Sequence, residues 1–333
     1  MPRRPPAVAR VLERVTKTAR EHEMFEPGDL VLVSCSGGPD SVCLLYSLWY
    51  LRRLFKIQLA VFHFDHKLRP DSAKDAAYVK RLAERLGLPF QLRVAEDSPL
   101  KGESVEAWGF GVRLRSRSDV AKEFGATRIA RAHTLDDRAE WVVMALIFGA
   151  GPHGLVGQAA SDGADVQPLF DVSRAEVEDF CRALRLRPRI DPSNFDTWKP
   201  RAAIRHEVLP AMEKVRRGGA KKAIVRTAEQ LRSALPSRIK QDQGRAGDGW
   251  HQRSSDGFGI RVASLHEEPF GWMDRNHILI EFRVLGHRVT EADVKAILDL
   301  AQGRPGRRRD LSGGLKAIRE KEYVRVSRSS PES

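Results

Sequence analysis

The chain has 333 residues, of which 41% are hydrophobic and 30% are charged, and its formal net charge is +13. This balance is typical of a globular protein and excludes a disordered or collagen-like chain. The longest apolar stretch, Trp141 to Phe148, is far shorter than the ~20 residues that cross a bilayer, and the amphipathic N-terminal segment lacks the apolar run of a signal peptide. We therefore expect about two domains, no membrane partner and a cytoplasmic location.

Short apolar runs alternate with longer segments of helical period from Leu30 onward. The predicted strands cover 30–34, 57–63, 90–94 and 128–133, and the predicted helices cover 42–54, 72–86, 105–124 and 135–148. This alternation is typical of βαβ units, in which parallel strands are nearly continuous in apolar residues. It predicts an α/β fold with a doubly wound, mainly parallel, Rossmann-like sheet.

Two further helices are predicted after this sheet. The sequence SRAE, which begins at Ser173, has the pattern of a capping box for a helix that ends near Leu186. The second helix is predicted over 201–215, and the sequence RRGGAKK at 216–222 then marks a break in composition. This break predicts that one domain ends near Val215.

The predicted boundary divides the chain into a first domain, residues 1–215, and a second region, residues 216–333. The second region is predicted to contain a helical linker and a small α+β domain. The elements that we predict within it are a strand over 278–284, a helix over 291–301 and a hairpin around 312–314.

Positive charge is concentrated in two segments of the chain. Residues 199–240 contain 12 Lys or Arg and three Asp or Glu, and residues 304–328 contain nine and three. Such clustering is the electrostatic footprint of a protein that binds a polyanion, nucleic acid first. The alternative is an arginine-rich surface that reflects genome composition.

The first predicted strand leads directly into the sequence SGGPDS. Its members are Ser36, Gly37, Gly38, Pro39, Asp40 and Ser41. The glycines let the backbone approach a phosphate, the next helix directs N–H groups at the anion, and the serines add hydroxyl donors. Asp40 would repel a phosphate unless a cation lay between them, which predicts Mg²⁺ held by Asp40 and phosphate oxygens. The alternative is an ordinary glycine-rich turn with a capping aspartate.

This loop resembles the SGGxDS motif of the N-type ATP pyrophosphatases, the PP-loop superfamily, and three more stretches narrow the resemblance. They are HFDHKLRPDS from His63, AHTLDDRAE from Ala132, and DPSNFDTWKPRAAIRHEVLP from Asp191. In this order and spacing they resemble the tRNA(Ile)-lysidine synthetases over about residues 30–210. The sequence GRRRDLSGGLKAIRE at 306–320 is similar to the C-terminal tRNA-contacting domain of that family.

The resemblance implies a ligase that acts in two steps on a tRNA(Ile) with a CAU anticodon. ATP adenylates O2 of the wobble cytidine, C34, and the side-chain amine of free L-lysine then displaces AMP to give lysidine. ATP and Mg²⁺ are the implied cofactors, and tRNA(Ile) and L-lysine are the implied partners. A homodimer is compatible with the sequence.

A histidine and two carboxylates follow the fourth predicted strand. His133 ends the strand, and Asp137 and Glu140 stand three residues apart on the next helix, so both carboxylates can face the crevice at the strand ends. The ammonium of lysine needs anionic groups to bind it and must lose a proton before attack, and we predict that these three residues are catalytic. Capping of the helix dipole is the alternative for Asp137 and for Asp136.

Other candidate residues come from the strand ends and from the basic segments. His63 and Asp65 are predicted to orient ATP or Mg²⁺, with a merely polar strand end as the alternative. Arg201 and Arg205, four residues apart on one helix, can converge on one anionic or carbonyl target, and a solvated basic face is the alternative. The resemblance implies catalytic roles for Asp40, Arg113 and Arg205, and it implies tRNA contacts for Arg201, Arg205, Arg307, Arg308 and Arg309.

Several positions depart from the family pattern. They are Phe110, Leu114, Thr134, Ala145, Phe148 and Ala202. A small-molecule adenylating amidation enzyme and a tRNA-binding paralogue without catalysis stay open as alternatives, although the basic tail and the lack of a glutaminase domain count against the former. A 2-thiocytidine-type thiolase is disfavoured because Cys35, Cys43 and Cys181 form no CxxC pair.

Overall fold

The computed structural model describes residues 4–69, 71–96, 105–149, 152–189, 200–234, 251–253, 257–262, 278 and 290–328. The chain forms two compact units. The first contains Met1–Ala95, Arg117–Ile147 and Gly154–Ala234, and the second contains Glu96–Ser116, Phe148–His153 and Leu235–Ser333. Among the described helices, none is long and apolar enough to span a bilayer.

The first unit contains a six-stranded sheet of order β3-β2-β1-β4-β6-β5. Its strands are β1 (Leu30–Ser34), β2 (Gln58–Asp65), β3 (Phe90–Val94), β4 (Arg128–Ala130), β5 (Ser161–Asp162) and β6 (Asp165–Val166). All neighbouring pairs are parallel except β5 with β6. The mainly parallel α/β fold is therefore confirmed. The prediction of a fourth strand to residue 133 is wrong, because the chain leaves the sheet after Ala130.

Seven helices lie between residues 6 and 183 of the described chain. They are α1 (Pro6–Glu21), α2 (Pro39–Phe55), α3 (Ser72–Leu86), α4 (Val105–Phe124), α5 (Leu135–Ile147), α6 (Pro152–Leu155) and α7 (Arg174–Ala183). The apolar stripe of α1 and two residues of β1, Val31 and Val33, are buried in one core, which also contains Cys35, Cys43 and Cys181. The capping box before α7 is confirmed, since Ser173 and Glu176 bond reciprocally.

The helix predicted over 201–215 is interrupted by a wider turn. The chain forms α8 (Pro200–Ala203), a π-helical turn (Ile204–Val208) and α9 (Leu209–Arg216), followed by α10 (Ala220–Ala234). Helix α10 packs against α5, and Val225 joins an apolar cluster with Leu135 and Leu209. The domain boundary near Val215 stays a prediction, and the first unit continues through α10.

The second unit contains an antiparallel sheet of order β7-β8-β11-β10-β9 and helix α11 (Glu291–Gln302). Its strands are β7 (His251–Arg253), β8 (Gly257–Arg261), β9 (Arg308–Leu311), β10 (Leu315–Arg319) and β11 (Tyr323–Arg328). Val294 and Ile297 of α11 pack with Ala317 of β10. The predicted helix and hairpin are confirmed, and the strand predicted over 278–284 lies, apart from Ile278, outside the described residues.

Candidate active site

The loop between β1 and α2 is held in a fixed shape by its own serines. Gly37 has a φ of +89°, a conformation that residues with a side chain rarely adopt. Its amide donates to Oγ of Ser41 at 3.1 Å, and this hydroxyl donates to the carbonyl of Gly38 at 2.9 Å. The amide of Gly38 donates to Oγ of Ser36 at 3.4 Å. The loop thus reaches the N-terminus of α2 as a preformed turn, and its binding of phosphate stays a prediction.

Asp40 lies in the first turn of α2 with one oxygen that has no hydrogen-bond partner within the described chain. This oxygen, Oδ1, is buried, while Oδ2 lies 3.6 Å from Nη2 of Arg174. Burial raises the pKa of Asp40 to about 6, against the opposing effect of Arg174. A buried carboxylate oxygen without a donor fits the oxygen ligand that Mg²⁺ requires. No cluster of three or more metal-ligating side chains occurs among the described residues, so Asp40 would hold the ion together with phosphate oxygens and water.

His63 and Asp65 lie at the end of β2 and are buried. Nδ1 of His63 lies 2.8 Å from the carbonyl oxygen of Cys35, the residue before the loop, and Oδ1 of Asp65 accepts from the amide of Lys67 at 2.8 Å. Burial lowers the pKa of His63. Because a carbonyl can only accept, Nδ1 carries the proton, and the imidazole supports the start of the loop.

Asp137 uses its two oxygens for two different purposes. The amide and hydroxyl of Thr134 donate to Oδ2 at 2.9 and 2.7 Å, and the amide of Asp137 donates back to the Thr134 hydroxyl at 3.4 Å. These bonds form a cap at the start of α5. Oδ1 instead faces Arg201, whose Nη2 lies 2.9 Å away. The capping interpretation therefore holds for one oxygen only, and Thr134, which departs from the family pattern, supplies the cap.

Arg201 and Arg205 converge on the same two carboxylates. Nε of Arg201 lies 3.0 Å from Oε2 of Glu140. Nε and Nη2 of Arg205 lie 2.6 and 2.8 Å from the two Glu140 oxygens, which is the bidentate geometry of a strong ion pair. Glu140 is only 1% exposed, so these ion pairs form on its shielded side chain. The predicted convergence on an anionic target is thus observed, and the target is internal.

Arg174, the first residue of α7, is a site residue that the sequence prediction missed. Its Nη2 lies 3.4 Å from Oδ1 of Asp137, and its Nη1 lies 3.5 Å from Oε1 of Glu140. Together with the 3.6 Å contact to Asp40, these contacts place one guanidinium between the loop and the acid pair. A cation at a helix N-terminus opposes the helix dipole, and this conflict is the signal in the sequence that could have identified Arg174.

The carboxylates around Arg174 differ in their acidity. Although burial opposes ionisation, Arg201 and Arg174 hold the pKa of Asp137 well below its usual range. The pKa of Asp40 is instead raised to about 6. Environments that separate the pKa values of neighbouring acids are typical of catalytic sites, because the groups can then take different roles.

His133 lies just before α5 and is neutral at physiological pH. Burial, assisted by Arg131, lowers the pKa of His133 to about 4. Its Nδ1 lies 3.1 Å from Oε1 of Gln167, whose amide nitrogen donates to the carbonyl of Ala159 at 2.9 Å. This arrangement of the amide makes Nδ1 the donor and leaves Nε2 as the nitrogen that can accept a proton.

Asp136 has a structural role rather than a place beside the arginines. It accepts from the amide of Arg174 at 2.8 Å and from Nζ of Lys221 at 2.6 Å, so it joins the starts of α5, α7 and α10.

Arg113 lies in α4 with an exposed side chain. The three tRNA-contact candidates of the second unit, Arg307, Arg308 and Arg309, are exposed at and before β9. Their functional roles stay predictions, and residues 191–199 lie outside the described residues.

Comparison with known proteins finds sequence similarity over more than half of the chain. A family model described as the PP-loop domain matches residues 8–212. A tRNA(Ile)-lysidine synthase of Clostridioides difficile is 34% identical over 228 residues, which are 67% of this chain and 49% of the relative. One of Geobacter sulfurreducens is 38% identical over 240 residues, which are 70% of this chain and 50% of the relative. The chain spans about half the length of the curated relatives it matches.

A solved structure shares the fold. The U34-tRNA thiolase NcsA of Methanococcus maripaludis superposes with a TM-score of 0.61 at 19% sequence identity, over 69% of this chain and 80% of the thiolase. At this identity the likeness concerns the arrangement of strands and helices alone.

Proposed function

This chain belongs to the PP-loop family, and from that membership we propose that it is an ATP-dependent ligase that joins L-lysine to a tRNA. The substrate would be the wobble cytidine, C34, of a tRNA(Ile) with a CAU anticodon. O2 of the base attacks the α-phosphate of ATP and pyrophosphate leaves. The lysine amine then attacks C2, the C2–O2 bond breaks, and AMP leaves. The relatives named tRNA(Ile)-lysidine synthase support this proposal.

The observation that carries the proposal is the position of Arg174. Its guanidinium contacts Asp40 at 3.6 Å and Asp137 at 3.4 Å, so the phosphate loop and the acid pair share one neighbour. A reaction that first activates a base with ATP and then adds an amine needs both groups at one site. When bound at Asp40, Mg²⁺ would neutralise charge on the phosphates.

The residues around the acid pair fit recognition of an amine. Asp137 is ionised, and Glu140 is buried among guanidinium groups. These carboxylates would bind the lysine ammonium in partial exchange for contacts with Arg201 and Arg205. The proton that the amine loses would pass to this group of carboxylates and neutral His133. The released guanidinium groups would then face the anionic adenylate.

The test is transfer of labelled lysine to purified tRNA(Ile) in the presence of ATP, with mass spectrometry of the nucleosides. We expect lysidine at C34, formed together with one AMP and one pyrophosphate. A tRNA(Ile) carrying U34 in place of C34 is the matched control and should accept no lysine. Binding of tRNA without any lysine incorporation would contradict the ligase and favour a paralogue that only binds. The homodimer and the cytoplasmic location stay predictions.

A further inference from the structure

A groove of about 640 Å³ lies between helix α3 and the segment 185–189, both within the first unit. Cationic side chains dominate its lining. Among the described residues they are Lys74, Arg81, Arg85, Arg185, Arg187 and Arg189. Neither 81–85 nor 185–189 belongs to the two basic segments that stand out in the sequence. These two stretches form the groove because the fold brings them together.

Most of these cations have no acidic partner among the residues that the structure describes. Lys74 pairs with Asp71 at 2.6 Å, and Arg189 pairs with Asp75 at 2.7 Å. The four other guanidinium groups are exposed, and none of them has a carboxylate partner within the described chain. Gathering like charges costs folding stability through repulsion, so a surface of this kind indicates an anionic ligand that relieves the repulsion.

The two walls of the groove present the guanidinium groups in rows. Arg81 and Arg85 stand one helical turn apart on α3. In the opposite wall the arginines alternate with Leu186, which packs against the core, and with a proline. Several guanidinium groups spread over both walls suit a chain of phosphates better than a single small anion.

The groove also contains one buried hydroxyl group. It lies beside the phosphate loop. The hydroxyl of Tyr78 is buried without a hydrogen-bond partner among the described residues, although this tyrosine lines the groove. The amide of Arg189 donates to the carbonyl of Gly37 at 2.9 Å. A phosphodiester chain in the groove would therefore lead toward the loop that is expected to hold ATP.

We propose that this groove binds the sugar–phosphate backbone of the RNA substrate, as an electrostatic contact separate from the basic C-terminal segments. The inference rests on the proposed function, because that function supplies an RNA. Each phosphate that a guanidinium neutralises releases counterions, so the contact has a measurable salt dependence.

The test compares two double variants of the full chain that remove the same charge. Arg185→Ala with Arg187→Ala removes from the groove two cations that have no carboxylate partner within the described chain. Lys80→Ala with Arg182→Ala removes two cations outside its lining, which pair with Glu84 and Asp179 on the surfaces of α3 and α7. The affinity for unmodified tRNA(Ile) is measured over a range of salt concentrations, beside the affinity for MgATP.

We expect the groove variant to bind tRNA on the order of tenfold more weakly, with a salt slope reduced by about 1 to 2, and to bind MgATP unchanged. The control variant should stay within about twofold of the wild type. Equal effects of the two variants would overturn the inference. It would also fail if the groove variant lost only the binding of inorganic pyrophosphate, measured by calorimetry, while tRNA affinity stayed normal.

The experiments can disprove the proposed ligase activity and the proposed RNA-binding groove separately. A wild-type protein whose tRNA binding depends on the groove but which incorporates no lysine would support the groove and contradict the proposed ligase. Normal lysine incorporation and normal tRNA affinity in the groove variant would support the ligase and contradict the groove.

Discussion

Nη2 of Arg174 lies 3.6 Å from Oδ2 of Asp40, and through this contact the first turn of α7 meets the first turn of α2. The same guanidinium contacts Asp137 and Glu140 of α5. Three helix N-termini thus meet at one side chain, with negative charge from two of them balanced by a cation on the third.

We expect Arg174→Lys to lower the rate of lysine transfer on the order of tenfold or more, because a single ammonium cannot span the three carboxylates as the planar guanidinium does. Transfer rates and thermal unfolding are measured on the same samples. Arg182→Lys, on the same helix but paired with Asp179, is the control and should behave as the wild type. A normal rate in the Arg174 variant would show that the bridge does not serve the reaction.

Asp40→Ala is expected to abolish Mg²⁺-dependent release of pyrophosphate, with a loss on the order of a hundredfold or more. Stability should change little, since Oδ1 of Asp40 has no partner within the described chain and Oδ2 has only a 3.6 Å contact. The assay is pyrophosphate release against Mg²⁺ concentration, with the exposed Asp71→Ala as control. An unchanged Mg²⁺ dependence would remove Asp40 from metal binding.

Asp137→Asn and Glu140→Gln should retain ATP binding and lose lysine transfer, because an amide can hydrogen-bond but can neither neutralise an ammonium nor take its proton. Both variants should also lower the free energy of unfolding, by about 1 to 3 kcal/mol, because each leaves partly buried guanidinium groups without a counter-charge. Full lysine incorporation by both variants would exclude these carboxylates from the mechanism.

His133 makes folding stability dependent on pH in the acid range. Its pKa is lowered from 6.5 to about 4 in the folded protein, so the unfolded chain binds a proton more readily between these values. Its contribution is constant above about pH 6.5, and stability falls by up to about 3 kcal/mol as the pH decreases to 4. Urea unfolding at pH 7 and at pH 4.5 should show a smaller loss for His133→Gln than for the wild type. Equal losses would mean that His133 titrates normally.

Lys221→Met is expected to destabilise the first unit by about 3 kcal/mol, because Asp136 then keeps a buried charge without its ammonium partner. Nζ of Lys221 lies 2.6 Å from Oδ1 of Asp136. Lys222→Met changes the exposed neighbouring residue and should have little effect. Similar unfolding midpoints for the two variants would show that α10 does not stabilise the N-terminus of α5.

Local sequence signals were sufficient for the regular elements. Helices α3 and α4 have the predicted bounds. Helix α3 has a clear apolar period and ends at Gly87, which adopts the left-handed conformation. The first four residues of β1 are likewise an unbroken apolar run. Strands β5 and β6 were not predicted, since two-residue strands carry no periodicity.

The site was predictable only where its residues share one element. Arg201 and Arg205 could be paired from their spacing along one helix, and Asp137 and Glu140 likewise. The arginines contact carboxylates that are more than 60 positions away in the sequence. No local sequence pattern predicts such contacts. Arg174 was missed for the same reason, because its neighbours belong to other helices.

The π-helical turn Ile204–Val208 determines the angle about the helix axis between the residues before it and those after it. An α-helix advances about 100° per residue, and the wider turn accommodates one residue more. Arg201 before the turn and Arg205 within it reach Glu140, while Leu209 after it is buried against α5 and α10. Removing one residue from the turn would rotate Leu209 out of the apolar cluster or the arginines away from the acids. Evolutionary change in this segment is therefore expected to proceed by substitution at constant length.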